Sequence, residues 1–223
     1  MKYFKLEFCL EKSIVGDFPQ IQQFKKGYDP NRRESCSQVG RYFFGKKPDV
    51  EIDFDGLQLS NNAKLTDYVS SSYLNSLTGL LVSERLFDFL MTLNSVEFVS
   101  FPTKIYQKEQ IVSNSYKWLH FVEVYPGMIN FPKSHFFLDH SEAKYKEVKV
   151  DSFEMYSVMQ NQTSYDINSK RIVLNPNTVS HLDVLRLGTI SCDTYVTESV
   201  KELLIENKFT GLVYEPAENL ILG

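Results

Sequence analysis

The stretch from Val82 to Pro102, VSERLFDFLMTLNSVEFVSFP, returns from Val196 to Pro216 as VTESVKELLIENKFTGLVYEP. The copies align without a gap. Val82, Glu84, Leu90, Val99 and Pro102 are identical to Val196, Glu198, Leu204, Val213 and Pro216. Ser83/Thr197, Leu86/Val200, Asp88/Glu202, Met91/Ile205 and Phe98/Leu212 are close in chemistry. A repeated unit constrains the fold strongly, because both copies must bury the same kind of surface.

Each copy reads as strand end, helix, short loop and strand. Ser83 and Thr197 stand just before the apolar-periodic run, where a hydroxyl can accept from a free helix N–H. Glu84 and Glu198 follow at the first helical position, where the helix dipole favours an anion. Leu86, Phe89, Leu90 and Leu93 fall on one face of the first helix, and Val200, Leu203 and Leu204 on one face of the second. Asn94-Ser95 and Asn207-Lys208 are the stops. Val96 to Val99 and Leu212 to Tyr214 have strand chemistry. Pro102 and Pro216 then remove a ladder donor. The repeated units span 78–102 and 190–216. Their distinctive positions are apolar, so they read as scaffold rather than as a binding site.

The rest of the chain fits an α+β fold with a mixed or antiparallel sheet and few helices. With 43% apolar and 14% aromatic residues, 223 residues can build a substantial core. Residues 1–223 read as a single unit, with two lobes around the repeat helices left open. Residues 2–10 alternate as a half-buried strand, with Phe4, Leu6, Phe8 and Leu10 on one face. Glycine and proline punctuate 11–48, where Arg41 to Phe44 reads as a short strand. A short helix is expected around 65–75. Further strands are expected at 80–82, 104–106, 117–124, 147–151, 167–174 and 183–187, and 131–138 reads as irregular. Trp118, the only tryptophan, reads as a packing residue.

Charge is distributed unevenly. The net charge is −4 and the pI near 5.6, which disfavours a dedicated nucleic-acid binder. Between 25 and 47 there are seven Lys/Arg against Asp29 and Glu34. The sign then reverses, as Asp49, Glu51, Asp53 and Asp55 alternate with Val50, Ile52 and Phe54. On a strand these carboxylates share one face. They then form either the wet side of an exposed edge or a contact surface for a basic partner. A metal site is disfavoured: Ca²⁺ and Mg²⁺ recruit more oxygens, and Asp53-x-Asp55-Gly56 lacks the later acid of an EF-hand loop.

No cofactor is implied, since glycine-rich phosphate loops, the serine nucleophile elbow and H-E-x-x-H are all missing from the sequence. His135 and His140 are five apart, off the spacing of two ligands on one helix face. Asp139-His140 is a conceivable orienter and base. Cys192-Asp193 reads as a small core residue beside an acid. Lys25-Lys26 and Arg32-Arg33 lie near Phe24 and Tyr28, where solvated loop charge is the plainer reading than nucleic-acid contact. Cys9, Cys36 and Cys192 are widely separated, which suggests neither a disulfide framework nor a zinc site and fits a reducing cytoplasm. The charged N-terminus does not read as a secretory signal, and no run of side chains is apolar enough for a membrane span.

Three landmarks carry a family resemblance. The first is Val82-Ser83-Glu84-Arg85-Leu86 with Leu90, Phe98 and Pro102. The second is Asn130-Phe131-Pro132-Lys133-Ser134, where Asn130 replaces the usual aspartate. The third is Leu185-Arg186-Leu187 followed by Val196 to Val200 and Thr210 to Pro216. Over about residues 65–217 the chain resembles a family of bacterial polymorphic-toxin immunity proteins, the family numbered eleven, first described as a domain of unknown function. Residues 1–60 form a divergent N-terminal part, and 11–60 match nothing in that family. The resemblance implies a non-enzymatic cytoplasmic protein that binds a cognate toxin stoichiometrically and blocks it, with no membrane or nucleic-acid partner. If the toxin is basic, Asp49, Glu51, Asp53 and Asp55 are the expected steering contacts. Two rival readings are an enzyme using His135, Asp139 and His140, and a nucleic-acid adaptor using Lys25 to Lys47.

Overall fold

The computed structural model describes residues 1–74, 78–122, 126–139, 146–162 and 166–223. Among these, thirteen strands and six α-helices are formed. The first half runs β1 (Tyr3–Phe8), α1 (Lys12–Val15), β2 (Ile21–Phe24), α2 (Val39–Tyr42), β3 (Leu57–Leu59), β4 (Gly79–Ser83), α3 (Glu84–Leu90), β5 (Phe98–Gln107) and β6 (Gln110–Phe121). The second half runs β7 (His135–Asp139), β8 (Lys146–Val148), α4 (Phe153–Gln162), β9 (Asp166–Leu174), α5 (Pro176–Val179), β10 (Val184–Arg186), β11 (Thr194–Thr197), α6 (Glu198–Glu206), β12 (Leu212–Pro216) and β13 (Leu220–Leu222). They build three sheets, ordered β10-β11-β1-β12, β2-β3-β5-β6-β4 and β13-β9-β7-β8. The fold is α+β with mixed and antiparallel pairing.

The two repeated stretches adopt the same topology. β4 and β5 both run antiparallel to β6, so they lie parallel to each other on either side of it. β11 and β12 flank β1 in the same way. The register matches residue for residue. Val82 and Pro102 both face Lys117, while Val196 and Pro216 both face Phe4. Phe98 faces Phe121 as Leu212 faces Phe8. This alignment extends the repeat to the inserted strand: Tyr116, Leu119 and Phe121 of β6 match Tyr3, Leu6 and Phe8 of β1. The inserted strand follows β5 as a hairpin in one unit and comes from the start of the chain in the other. Ladder alternation turns the nitrogens of Pro102 and Pro216 away from the inserted strand, where no hydrogen is needed.

A contact between helix and inserted strand is also repeated, with the partners exchanged. The Lys117 ammonium lies 4.2 Å from the Phe87 ring centroid. At the matching positions, the Lys201 ammonium lies 3.8 Å from the ring of Phe4. Helix aromatic over strand lysine becomes helix lysine over strand aromatic.

The units clasp each other reciprocally. The Asp67 carboxylate, on a segment pairing with β4, accepts from the Thr210 amide at 2.8 Å, after α6. The Asp183 carboxylate, just before β10, accepts from the Asn94 amide at 3.0 Å, after α3. Tyr68 N–H donates to the Thr210 carbonyl, and Val184 N–H to that of Asn94. Asp67 also takes Ser83 at 2.7 Å and Arg85 at 2.7 Å, and Arg85 donates onward to the carbonyls of Asn207 and Lys208. Gly211 closes this clasp in the left-handed region at φ 84°, where a Cβ would strike the Tyr68 carbonyl. Leu86 and Leu90 share one core with Val200 and Leu204. The units therefore meet through a common interior.

Sheet β2-β3-β5-β6-β4 divides this core from a second one. Leu119 and Phe121 face the first; Tyr116 and Trp118 face the second, with Ile52, Phe54 and Phe43. Trp118 is a packing residue, 2% exposed. It lies across Gly79, where any Cβ would meet its ring.

Several local expectations are corrected. Thr197 makes no side-chain cap and meets Ser199 instead, whereas Ser83 accepts from Leu86 N–H at 3.2 Å. Leu203 is 41% exposed, and only Val200 and Leu204 are buried on α6. β1 forms where expected, but its burial does not alternate cleanly: Tyr3 and Leu6 are buried, the other four residues are half-buried, and Leu10, beyond the strand, is exposed. Residues 41–44 are not a strand: Arg41 and Tyr42 close α2. No helix forms at 65–74, where the chain runs extended beside β4. Residues 135–139 are a strand, paired with β8 and β9. The end of the strand expected over 117–124 lies partly outside the described residues.

Candidate partner-binding groove

The acidic row at 49–55 keeps its alternation but is not a strand. Ile52 and Phe54 are buried, and the Phe54 ring stacks 5.3 Å from Phe101. The carboxylates between them face outward. The main ties of this strap to its neighbour are Asp53 N–H to the Glu34 carbonyl at 2.7 Å and Cys36 N–H to the Asp53 carbonyl at 3.1 Å. Tyr28 adds a hydroxyl bond to the same Asp53 carbonyl at 2.7 Å. The expected edge strand is thus a strap, nailed down by two aromatic-core side chains and locked against residues 34–36.

The basic segment before it supplies most of its counter-ions. Lys25 lies 3.0 Å from Asp55, Arg32 pairs with Asp53, and Arg33 bonds both oxygens of Asp49 at 2.8 and 3.0 Å. Lys104 of β5 adds a second ammonium to Asp55 at 2.9 Å, and the Tyr106 hydroxyl donates to the same carboxylate. Partial burial pushes the Asp55 carboxyl up, but the bonds from Tyr106, Lys104 and Lys25 overcome this and hold it at about 2. Sequence reasoning saw two charge runs of opposite sign. Folding lays one along the other, so three of the four expected contact residues already have partners.

The strap and β5 enclose a groove of about 680 Å³. Ile52, Phe54, Phe101 and Pro102 give it an apolar floor, and Glu51, Asp53 and Asp55 line it, while Asp49 does not. Glu34, an acid within the basic run, lines it as well. Glu34 and Glu51 are exposed, and neither has an ion-pair partner among the described residues. Four carboxylates against Arg32 and Lys104 leave the lining net acidic.

The other candidate residues are placed as follows. His135 Nδ1 lies 3.1 Å from Glu147, on the surface. The pair borders a cleft of about 750 Å³ with Lys170, Arg171, Glu218 and Ile221. His140 and the side chain of Asp139 lie outside the described residues. His120 is buried and bonded to backbone carbonyls. The Cys192 thiol donates to the Gly188 carbonyl at 3.3 Å, and burial pushes it up, away from the reactive thiolate. Of the basic segment, Lys25, Arg32 and Arg33 are spent on the strap, and Arg41 lies over the Tyr42 ring. Among the described residues, no helix is long and apolar enough to cross a membrane.

No protein-family model matches the chain, and no curated protein matches it, so the resemblance rests on the residues quoted for it.

Proposed function

We propose that this chain is a stoichiometric binding protein that neutralises a cognate bacterial toxin, docking it over the groove between the acidic strap and β5. The resemblance supplies the class of partner. The groove is the observation that carries the docking site: exposed carboxylates without counter-ions stand over an apolar floor. Such a surface suits a basic side chain with an apolar stem, because the stem covers the floor while its charge meets Glu34 and Glu51.

Two further observations favour binding over chemistry. Most of the distinctive positions of the repeated units, which carry the resemblance, are buried scaffold, whereas the acidic wall of the groove, from Glu34 to Asp55, belongs to the divergent N-terminal part, where partner specificity would reside. Two groups that could act as base or nucleophile are engaged: His120 in backbone bonds and Cys192 in a protonated, half-buried setting. The basic segment that would serve a nucleic-acid adaptor spends Lys25, Arg32 and Arg33 on the strap. The reading is tested by co-expressing the chain with the toxin-like protein encoded beside it. Growth is expected to recover with the native chain and to fail with Glu34→Lys/Glu51→Lys at equal abundance. Killing that continues with the native chain would sink the proposal. Recovery with both chains would move the docking site elsewhere.

A further inference from the structure

We propose that His120 is an acid-sensitive latch that holds the 43–46 turn against the sheet and lets it go when protonated. His120 is fully buried on β6, opposite Gly79 of β4 and Val99 of β5, neither of which carries a charge. Its Nε2 lies 2.9 Å from the Phe43 carbonyl and 2.8 Å from the Lys46 carbonyl. Carbonyls only accept, so Nε2 carries the proton and Nδ1 is the bare nitrogen. Nδ1 is buried and has no hydrogen-bond partner among the described residues.

A proton on Nδ1 therefore makes a buried N–H without an acceptor, at a site that already feels the field of a cation. That cation is Arg186 on β10, itself buried. Burial pushes the imidazole pKa down; the two carbonyls pull it partly back up, and Arg186 opposes them. The strain is relieved most directly by opening the turn and admitting water to the ring. The remaining ties of the turn are two local bonds, Phe43 N–H to the Val39 carbonyl and Lys46 N–H to the Phe43 carbonyl, both at 2.9 Å, a bridge from Gly45 to Val122, and the Phe43 ring buried in the second core.

Opening has a consequence for the groove. Arg33 lies over the Phe43 ring at 5.5 Å while it bonds Asp49. Its neighbours Arg32 and Glu34 line the groove. Releasing Phe43 withdraws the support behind that wall. The sign follows from linkage. The latched form holds a neutral ring, and the open form takes a proton near the ordinary histidine value of about 6.5. Latching is complete above that pH and weakens up to about tenfold per unit below it, until the ring charges in place.

The test uses the chain alone and is independent of any partner. Amide-exchange protection factors at Phe43 and Lys46 are measured by NMR at pH 7.5 and 5.5. A fall of roughly tenfold is expected in the native chain. His120→Gln keeps a side-chain N–H donor but cannot titrate, and its protection factors are expected to stay constant. Unchanged protection in the native chain, or an equal fall in the variant, would overturn the proposal. Should the variant not fold, the ring resonances of the native chain decide. A ring that stays neutral while protection falls supports the latch. A ring that charges near pH 6.5 with protection unchanged refutes it.

Discussion

The exchanged cation–π pairs make a quantitative prediction about the repeat. In the first unit Phe87 is half-buried on α3 and Lys117, on β6, has a side chain 29% exposed. In the second unit the helix carries Lys201 and the strand Phe4. If the two sites are equivalent, the first should accept the arrangement of the second. Phe87→Lys alone discards the ring and sets two ammonium groups together. The lost contact, about 1 kcal/mol at a partly exposed site, adds to about 1 kcal/mol of lost apolar burial, so the variant should lose roughly 2 kcal/mol. Adding Lys117→Phe restores the pair in reversed order and should recover about 1 kcal/mol of that loss. Neighbouring substitutions are expected to couple, and the coupling is the quantity of interest. Urea unfolding of the native chain, both single variants and the double variant measures it. A double variant no more stable than Phe87→Lys would refute the equivalence.

Three further outcomes follow from the structure. Leu90→Ala and Leu204→Ala, at matched buried positions, should each cost roughly 2–5 kcal/mol in urea unfolding; a loss below 1 kcal/mol at either would mean that the shared core is loosely packed there. Ser83→Ala should cost about 0.5–2 kcal/mol as a lost cap, whereas Thr197→Ala should cost less because it removes no cap bond; equal losses in thermal melts would contradict the asymmetry. The Asp55 carboxyl sits below its ordinary value, so its ion pairs contribute stability above about pH 4 that is lost as pH falls towards 2. Asp55→Asn should flatten that acid limb in a series of urea titrations, and an unchanged limb would assign the acid sensitivity to other groups.

The repeat helices and their flanking strands were legible because their information is local. Apolar spacing and prolines sit within about twenty residues of each other in each copy, and the first copy adds the Ser83 cap. The inserted strands were not recognised as equivalent, although Tyr3, Leu6 and Phe8 match Tyr116, Leu119 and Phe121. One follows its unit and the other begins the chain, so a gapless alignment cannot connect them. The helix expected around 65–75 is absent over the described residues 65–74 for a tertiary reason. Asp67 and Tyr68 are drawn out beside β4 by bonds to Thr210, which lies 143 residues away from Asp67 in the chain. α4 left little trace in the pattern because Tyr156 is its buried residue while Met155 and Val158 are exposed.

The groove was half legible. The alternation of carboxylates with Val50, Ile52 and Phe54 marked a segment with one face in and one face out, and Ile52 and Phe54 are indeed inside. The pairing of that segment with Lys25, Arg32 and Arg33 depends on how an irregular stretch doubles back, which no period encodes. Nor could the sequence single out Glu34, which lines the same groove as Glu51 and, among the described residues, has no ion-pair partner.

Calorimetric titration of the purified chain with any toxin-like protein that its gene neighbourhood encodes tests the central claim most directly. The account predicts saturable one-to-one binding that weakens at least tenfold with Glu34→Lys/Glu51→Lys, while the unfolding free energy of the free variant stays within about 0.5 kcal/mol of the native chain. Absence of any binding heat at several temperatures, together with separate elution of the two proteins on gel filtration, would contradict it.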